Sequence, residues 1–206
     1  YDRQVNMINY RDKIQITRRA LTKLGTNMGS AIDQYFSIGQ KRGKTQEQLA
    51  NIFMNDCFFV RDYLKSKKQS LTDFNTSDSA AQLVFGVGNY IDSNMTKNGQ
   101  RDFADQLIDT IKLFEEKKEL ILKYDYVLID EFQDINSSQM KLIELINPKS
   151  LFCVGDPRQS IFGWRGSNIK YILDFEKKYP GSETITLAKN YRSSKYIVNL
   201  INKSIT

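Results

Sequence analysis

Val127-Leu128-Ile129-Asp130-Glu131-Phe132-Gln133-Asp134 is an apolar run that stops abruptly at two adjacent carboxylates. The four apolar residues from Tyr126 to Ile129, with β-branched Val127 and Ile129 among them, predict a short strand buried on both faces, as in a parallel sheet. Two carboxylates side by side where such a strand emerges repel each other and lose hydration, a cost that a bound cation removes. The plainer alternative is a strand end that meets water, where acidic residues are ordinary.

Working outward, Leu151 to Val154 is a second apolar run, and it ends in Gly155-Asp156-Pro157-Arg158-Gln159-Ser160. Ile161-Phe162-Gly163-Trp164-Arg165-Gly166 follows, then Leu187-Ala188-Lys189-Asn190-Tyr191-Arg192-Ser193-Ser194. Upstream stands Asp102-Phe103-Ala104-Asp105-Gln106-Leu107. In this order and spacing the segments resemble the UvrD/Rep/PcrA-like family of superfamily 1 DNA helicases, matching its Walker B segment, its third and fourth motifs and the stretch that precedes Walker B. The likeness is strong over residues 101–206 and weak before that.

The resemblance implies ATP and Mg²⁺ as cofactors and DNA, single-stranded or at a duplex junction, as partner. Asp130 and Glu131 would hold the metal, and Glu131 would also activate the attacking water as general base. Gln133 and Asp134 would belong to the network around the nucleotide; Asp134 reads equally well as a cap for the helix expected near Ser137, where an acid favours the helix dipole. Gln159 would sense the terminal phosphate and link it to the DNA site. Tyr191 would stack on the adenine and Arg192 would reach the terminal phosphate across a cleft between two motor domains. The same pair also reads as a helix start capped by Ser193 or Ser194, and the two readings are compatible. Phe162, Trp164 and Arg165 would touch DNA: aromatic rings stack on bases whatever the sequence, at about 1–3 kcal/mol per base, and arginine adds a phosphate contact or a stacking plane. Phe162 stands where the family often has Tyr, which keeps the stacking and drops a hydroxyl hydrogen bond.

No Gly-x-x-x-x-Gly-Lys-Ser/Thr loop, the phosphate cradle of such enzymes, occurs in the sequence. Gly86-Val87-Gly88-Asn89 is the nearest glycine pair and no Lys-Ser/Thr follows it. The chain also begins with Tyr rather than Met. The expectation is an internal piece of a longer helicase that does not hydrolyse ATP by itself. An alternative is a DNA-binding module of helicase descent that never hydrolyses nucleotide. A third class, a metal-dependent nuclease built on Asp130, Glu131 and Asp156, lacks the usual Lys or His beside the carboxylates.

Composition narrows the field further. Of the 206 residues, 40% are hydrophobic and 12% aromatic, enough for a packed core. There is no histidine, which excludes imidazole catalysis and His-ligated zinc in this chain. Cys57 and Cys153 are the only cysteines; they show no metal spacing or disulfide framework and fit a reducing compartment. With no recognisable signal peptide and no apolar stretch near the ~20 residues of a membrane span, the expected location is the cytoplasm, away from any membrane. The family resemblance also implies a nuclease subunit or another repair or defence protein as a protein partner. The net charge of +6 is uneven: residues 1–100 hold 14 basic and 9 acidic side chains, residues 101–206 hold 16 and 15. The excess in the first half suits a surface that faces a polyanion, or simply a solvated helical face.

Helical periodicity is expected over 8–24, 30–39, 45–64 and 78–95, with a polar loop at 65–79 and no β pattern of any length in this half. Residues 1–100 therefore read as a basic, all-helical subdomain, similar by position to the one called 1B in the family. From Arg101 a helix runs toward Leu122, and strands at 126–129, 151–154 and 183–187 then alternate with helices at 137–146, 168–178 and 194–203. This pattern predicts an α/β fold: part of a RecA-like parallel sheet with flanking helices. Residues 101–190 would be the C-terminal half of a first motor domain and 191–206 the start of a second. Ligands on such sheets lie beyond the carboxyl ends of the strands, where Asp130, Glu131 and Asp156 fall.

Overall fold

The computed structural model describes residues 5–74, 76–163 and 166–204. Its first half is helical, and side-chain caps set where the helices begin. Asn9 and Asp12 form a reciprocal capping box at the start of α1 (Tyr10–Lys23). The segment expected as one helix over 30–39 is two: α2 (Met28–Tyr35) and α3 (Ile38–Lys41). Phe36 is extended between them, and Ser37 with Gln40 makes a new capping box that restarts the helix. α4 (Gln46–Ser66) opens on a Thr45–Gln48 capping box, and Asp78 caps α5 (Ser79–Lys97). The glycines inside α5 have a packing reason: a Cβ on Gly86 would lie 3.1 Å from Leu24 Cδ1, and one on Gly88 would lie 3.3 Å from Leu71 Cδ2.

These helices enclose a core that includes Ile16, Leu21, Ile32, Phe53, Met54, Val87, Ile91 and Met95, all almost fully buried. Burying one such large apolar side chain contributes about 1.5–3 kcal/mol. The absence of β structure expected here needs correction: β1 (Asn6–Met7) pairs in parallel with β2 (Gln100–Arg101), joining the two ends of the helical segment. Strands of two residues are too short to leave a period in the sequence.

α6 (Phe103–Glu116) starts at Asp102, stops short of the expected Leu122 and gives way to a 3₁₀ turn over Lys118–Leu120. β3 (Tyr126–Ile129) and β4 (Ser150–Cys153) then pair in parallel, Val127 opposite Leu151 and Ile129 opposite Cys153. α7 (Ser137–Ile146) connects them. Ile129, Leu151 and Cys153 pack on a second core of Phe132, Ile135, Met140 and Ile143, together with Tyr171, Ile172 and Phe175. Burial of this sheet on both faces does not hold: Tyr126 and Leu128 are each 73% exposed, and Phe152 is exposed beside them. The side chains alternate across the strand, and the described residues cover one face only.

Beyond the sheet, the helix expected over 168–178 is broken at Asp174 into α8 (Lys170–Leu173) and α9 (Phe175–Lys178). No strand forms over 183–187, where Ile185 and Leu187 are exposed; an alternating segment becomes a strand only beside another strand, and none of the described ones reaches it. α10 (Lys195–Ser204) ends the described chain. The architecture is mixed α/β with two small parallel sheets among the described residues, and no described helix is long and apolar enough to cross a membrane.

Candidate functional site

The site grows from the ends of β3 and β4. Asp130 follows β3, and its Oδ1 accepts the Glu131 N–H at 2.9 Å. Glu131 lies in the left-handed region, φ 51° and ψ 43°, a conformation that costs a non-glycine residue about 1–3 kcal/mol and recurs at functional positions. It turns the chain sharply into the 3₁₀ turn Phe132–Asp134. That turn is stitched to the exit of β4: the Val154 N–H donates to the Ile129 carbonyl at 2.8 Å and the Phe132 N–H to the Val154 carbonyl at 2.9 Å.

Gln133, 1% exposed, sits between the two strand tips. Its Nε2 donates to Glu131 Oε2 at 2.7 Å, and its Oε1 accepts the Asp156 N–H at 3.0 Å. Asp156 caps the 3₁₀ turn Pro157–Gln159: Oδ1 accepts the Arg158 N–H at 2.9 Å, and Oδ2 accepts from Gln159 Nε2 at 2.8 Å. The loop then returns to the sheet side, since Ser160 Oγ donates to the Gln133 carbonyl at 3.3 Å and the Asn168 N–H donates to the Ile135 carbonyl at 3.1 Å. Asp130, Glu131, Gln133, Asp156 and Gln159 are thus joined at one end of the sheet. Asp134 lies beside them but does not cap α7; Asn136 does, in a capping box with Gln139.

Beside this cluster an open groove of about 390 Å³ is lined by Val127, Ile129, Asp130, Glu131, Asp134 and Gln139, among others. Asp134 Oδ1 is buried there without a hydrogen-bond partner, a state that calls for an external donor or cation. Among the described residues, no three His, Cys, Asp or Glu side chains converge as a metal cage. One or two hard carboxylate oxygens suit Mg²⁺, which binds through few protein ligands plus phosphates and water. Asp130 and Glu131 supply carboxylates of the kind that could hold a Mg²⁺ carried by phosphates.

Other expected residues are not drawn into this cluster. Tyr191 is 84% exposed, with Lys189 Nζ 4.8 Å from the centre of its ring. Arg192 is exposed, and its N–H donates to Asn190 Oδ1 at 2.9 Å. Asn190 Oδ1 also accepts the Ser193 N–H at 2.9 Å, so Asn190 holds this turn together. Phe162 is half-buried in the loop after Gln159. Trp164 and Arg165 lie outside the described residues. Gly166, just beyond them at φ 83°, leaves room against Phe59 of α4, 3.7 Å from where a Cβ would stand.

The sequence reading missed a second polar cluster, buried where α4 meets α6. The Arg61 guanidinium, 1% exposed, donates to both carboxylate oxygens of Asp105 at 2.6 and 2.7 Å, to Asp62 at 2.8 Å and to Asp92 at 3.1 Å. Lys65 Nζ adds a 2.6 Å bond to Asp105. Burial opposes ionisation of Asp105, but Arg61 and Lys65 hold its pKa below the usual carboxylate range. The available signal was Arg61 itself, a charge on the face of α4 otherwise occupied by Phe58 and Leu64.

Comparison with known proteins places the chain by its sequence. The family described as UvrD/REP helicase N-terminal domain matches residues 2–180. The chain is similar to the ATP-dependent DNA helicase PcrA of Staphylococcus aureus, with 42% identity over 135 residues, 63% of this chain and 18% of that protein. The protein of the same name from Staphylococcus epidermidis is 38% identical over 152 residues, 71% of this chain and 21% of that protein. The matched region is about a fifth of the length of these relatives.

Proposed function

The chain belongs to the UvrD/REP helicase family, and from that premise we propose that it is the nucleotide-responsive part of an ATP-dependent DNA helicase that moves on single-stranded DNA. Residues 101–190 are assigned to the C-terminal half of a RecA-like motor domain, residues 1–100 to a basic helical 1B-like subdomain, and residues 191–206 to the start of a second motor domain. The observation that carries the reading is the strand-tip cluster, in which Asp130 and Glu131 lie within one hydrogen-bonded group with Gln133, Asp156 and Gln159.

Asp130 and Glu131 are the residues to hold Mg²⁺. When bound, the ion would supply charge neutralisation and orientation to the triphosphate. Glu131 accepts the proton of the attacking water, and Gln133 keeps its carboxylate turned toward the cluster. Gln159, held by Asp156, responds to the terminal phosphate in this reading. Tyr191 offers an exposed ring to the adenine, and Arg192 a charge to the phosphates when a second motor domain closes over them. Phe162, Trp164 and Arg165 supply the stacking and phosphate contacts for a single strand.

Gln159 and Trp164 share the loop 155–167, so a displacement of Gln159 by the terminal phosphate shifts the DNA-stacking residues. This short linkage turns hydrolysis into a step along DNA. Gln159→Ala in the full-length protein is expected to reduce DNA-stimulated ATP hydrolysis about 10-fold or more while single-strand affinity stays within about twofold; unchanged stimulation refutes the linkage. A second reading is a DNA-binding module of helicase descent that does not hydrolyse nucleotide. Strand separation fuelled by ATP in the full-length protein decides against it.

A further inference from the structure

We infer that Gln133 is a positioning residue whose side-chain amide is a strut between the Glu131 carboxylate and the Gly155–Asp156 turn, tying the base to the phosphate-responsive Gln159. The inference rests on the function proposed above and adds to it a specific route of coupling. Glu131, Gln133, Asp156 and Gln159 form one unbroken series of hydrogen bonds, at 2.7 Å, 3.0 Å and 2.8 Å in turn. Asp156 joins the first part to the second through its own backbone, its N–H bonding Gln133 and its carboxylate bonding Gln159.

The chemistry of the strut admits one orientation. Turned over, the amide would set its NH₂ against the Asp156 N–H and its oxygen against the Glu131 carboxylate, two repulsions in place of two bonds. Only a side chain with a donor on one arm and an acceptor on the other serves both ends. Glutamate at this position would keep the Asp156 bond and face Glu131 with a like charge. Methionine would fill the volume and make neither bond.

Two further observations carry the assignment. Gly155 has no side chain where one would collide with the strut: a Cβ there would lie 2.6 Å from Gln133 Oε1, with Ile172 Cδ1 at 3.0 Å and the Gln133 backbone nitrogen at 3.1 Å. Gly155 is not among the residues at positive φ, so the demand for glycine is spatial, and its tightest contact is the Gln133 amide oxygen. In addition, Glu131 occupies its left-handed conformation with the Gln133 amide on its carboxylate and the Asp130 carboxylate on its N–H. A residue held in a sparsely populated conformation needs such neighbours to persist.

The test is a mutant cycle in the full-length protein, with Gln133→Met, Gly155→Ala and the pair combined, and Glu131→Gln as a control on the reading beneath. ATP turnover with saturating single strands, KM for ATP and single-strand Kd are measured for each. Gln133→Met is expected to lower DNA-stimulated kcat by about 10- to 100-fold, the usual cost of removing an orienting partner, with KM for ATP and Kd for DNA each within about threefold. Gly155→Ala is expected to fall in the same range, and the double variant to lose no more than the worse single one, because both break the same strut. Should Gln133→Met fail to bind DNA, Gln133→Glu takes its place, with the same loss in kcat expected. Wild-type kcat in the Gln133 variant, or losses that multiply in the double variant, overturn the inference. If Glu131→Gln abolishes turnover while the Gln133 variant keeps it, the strut alone is wrong; if Glu131→Gln keeps turnover, the assignment of the site falls with it.

Discussion

At the scale of single residues, Asp62 shows how position changes chemistry. Burial and the negative charge of Asp102 push its pKa up to about 7, against the opposing pull of Arg61 and Lys13. The folded chain therefore holds this proton more tightly than the unfolded chain, in which an aspartate titrates near about 3.9. With the folded pKa the higher, Asp62 lowers stability fully above about pH 7, and this cost fades as the pH falls toward 4. Asp105 is shifted the other way, so its contribution is lost only in more acidic solution, below the ordinary carboxylate range. Asp62→Asn is expected to weaken the gain in urea midpoint that wild-type protein shows between about pH 8 and about pH 5.5. Equal slopes for the two proteins would contradict this account of Asp62. The residues of the strand-tip site were legible as a sequence because Asp130 and Glu131 are neighbours in it. The tie from Gln133 to Asp156 was not, since it spans 23 positions and exists only once β3 and β4 are in register.

At the scale of elements, the Arg61 cluster clamps α4 to α6. Asp102 is the N-cap of α6 and Asp105 its third residue, in a reciprocal capping box. The two carboxylates that start the helix also receive the guanidinium, Asp102 at 3.4 Å. A cation this deeply buried is held by its partners, and removing one leaves charge without compensation. Asp105→Ala is expected to destabilise the chain by about 3–5 kcal/mol in urea unfolding; a loss below about 1 kcal/mol would show that the pair is not what joins these helices. A helix with a side-chain cap was readable in the sequence: the span expected from residue 45 begins at the Thr45–Gln48 box. Elements that depend on distant partners were not. The 183–187 segment has the alternation of a strand and no neighbour to pair with among the described residues, and Asn6–Met7 has almost no pattern and a partner more than ninety positions away. The break at Phe36 lay hidden because Ser37 restarts a helix one residue later.

At the scale of the whole molecule, two hydrophobic cores divide the labour, one drawn from residues 8–95 and the other from residues 129–179. The first supports a helical body with most of the excess positive charge. The second supports the strand tips, and through them the carboxylates. Gly166 lies near the first body: a Cβ built on it would stand 3.7 Å from Phe59 of α4.

The most direct measurement is the rate of ATP hydrolysis on single-stranded DNA by the full-length protein and by its Asp130→Asn/Glu131→Gln variant. The carboxylates' proposed role as magnesium holders and general base predicts a loss of at least about 10²-fold in the variant, with DNA binding retained. Hydrolysis at the wild-type rate in the variant would contradict it.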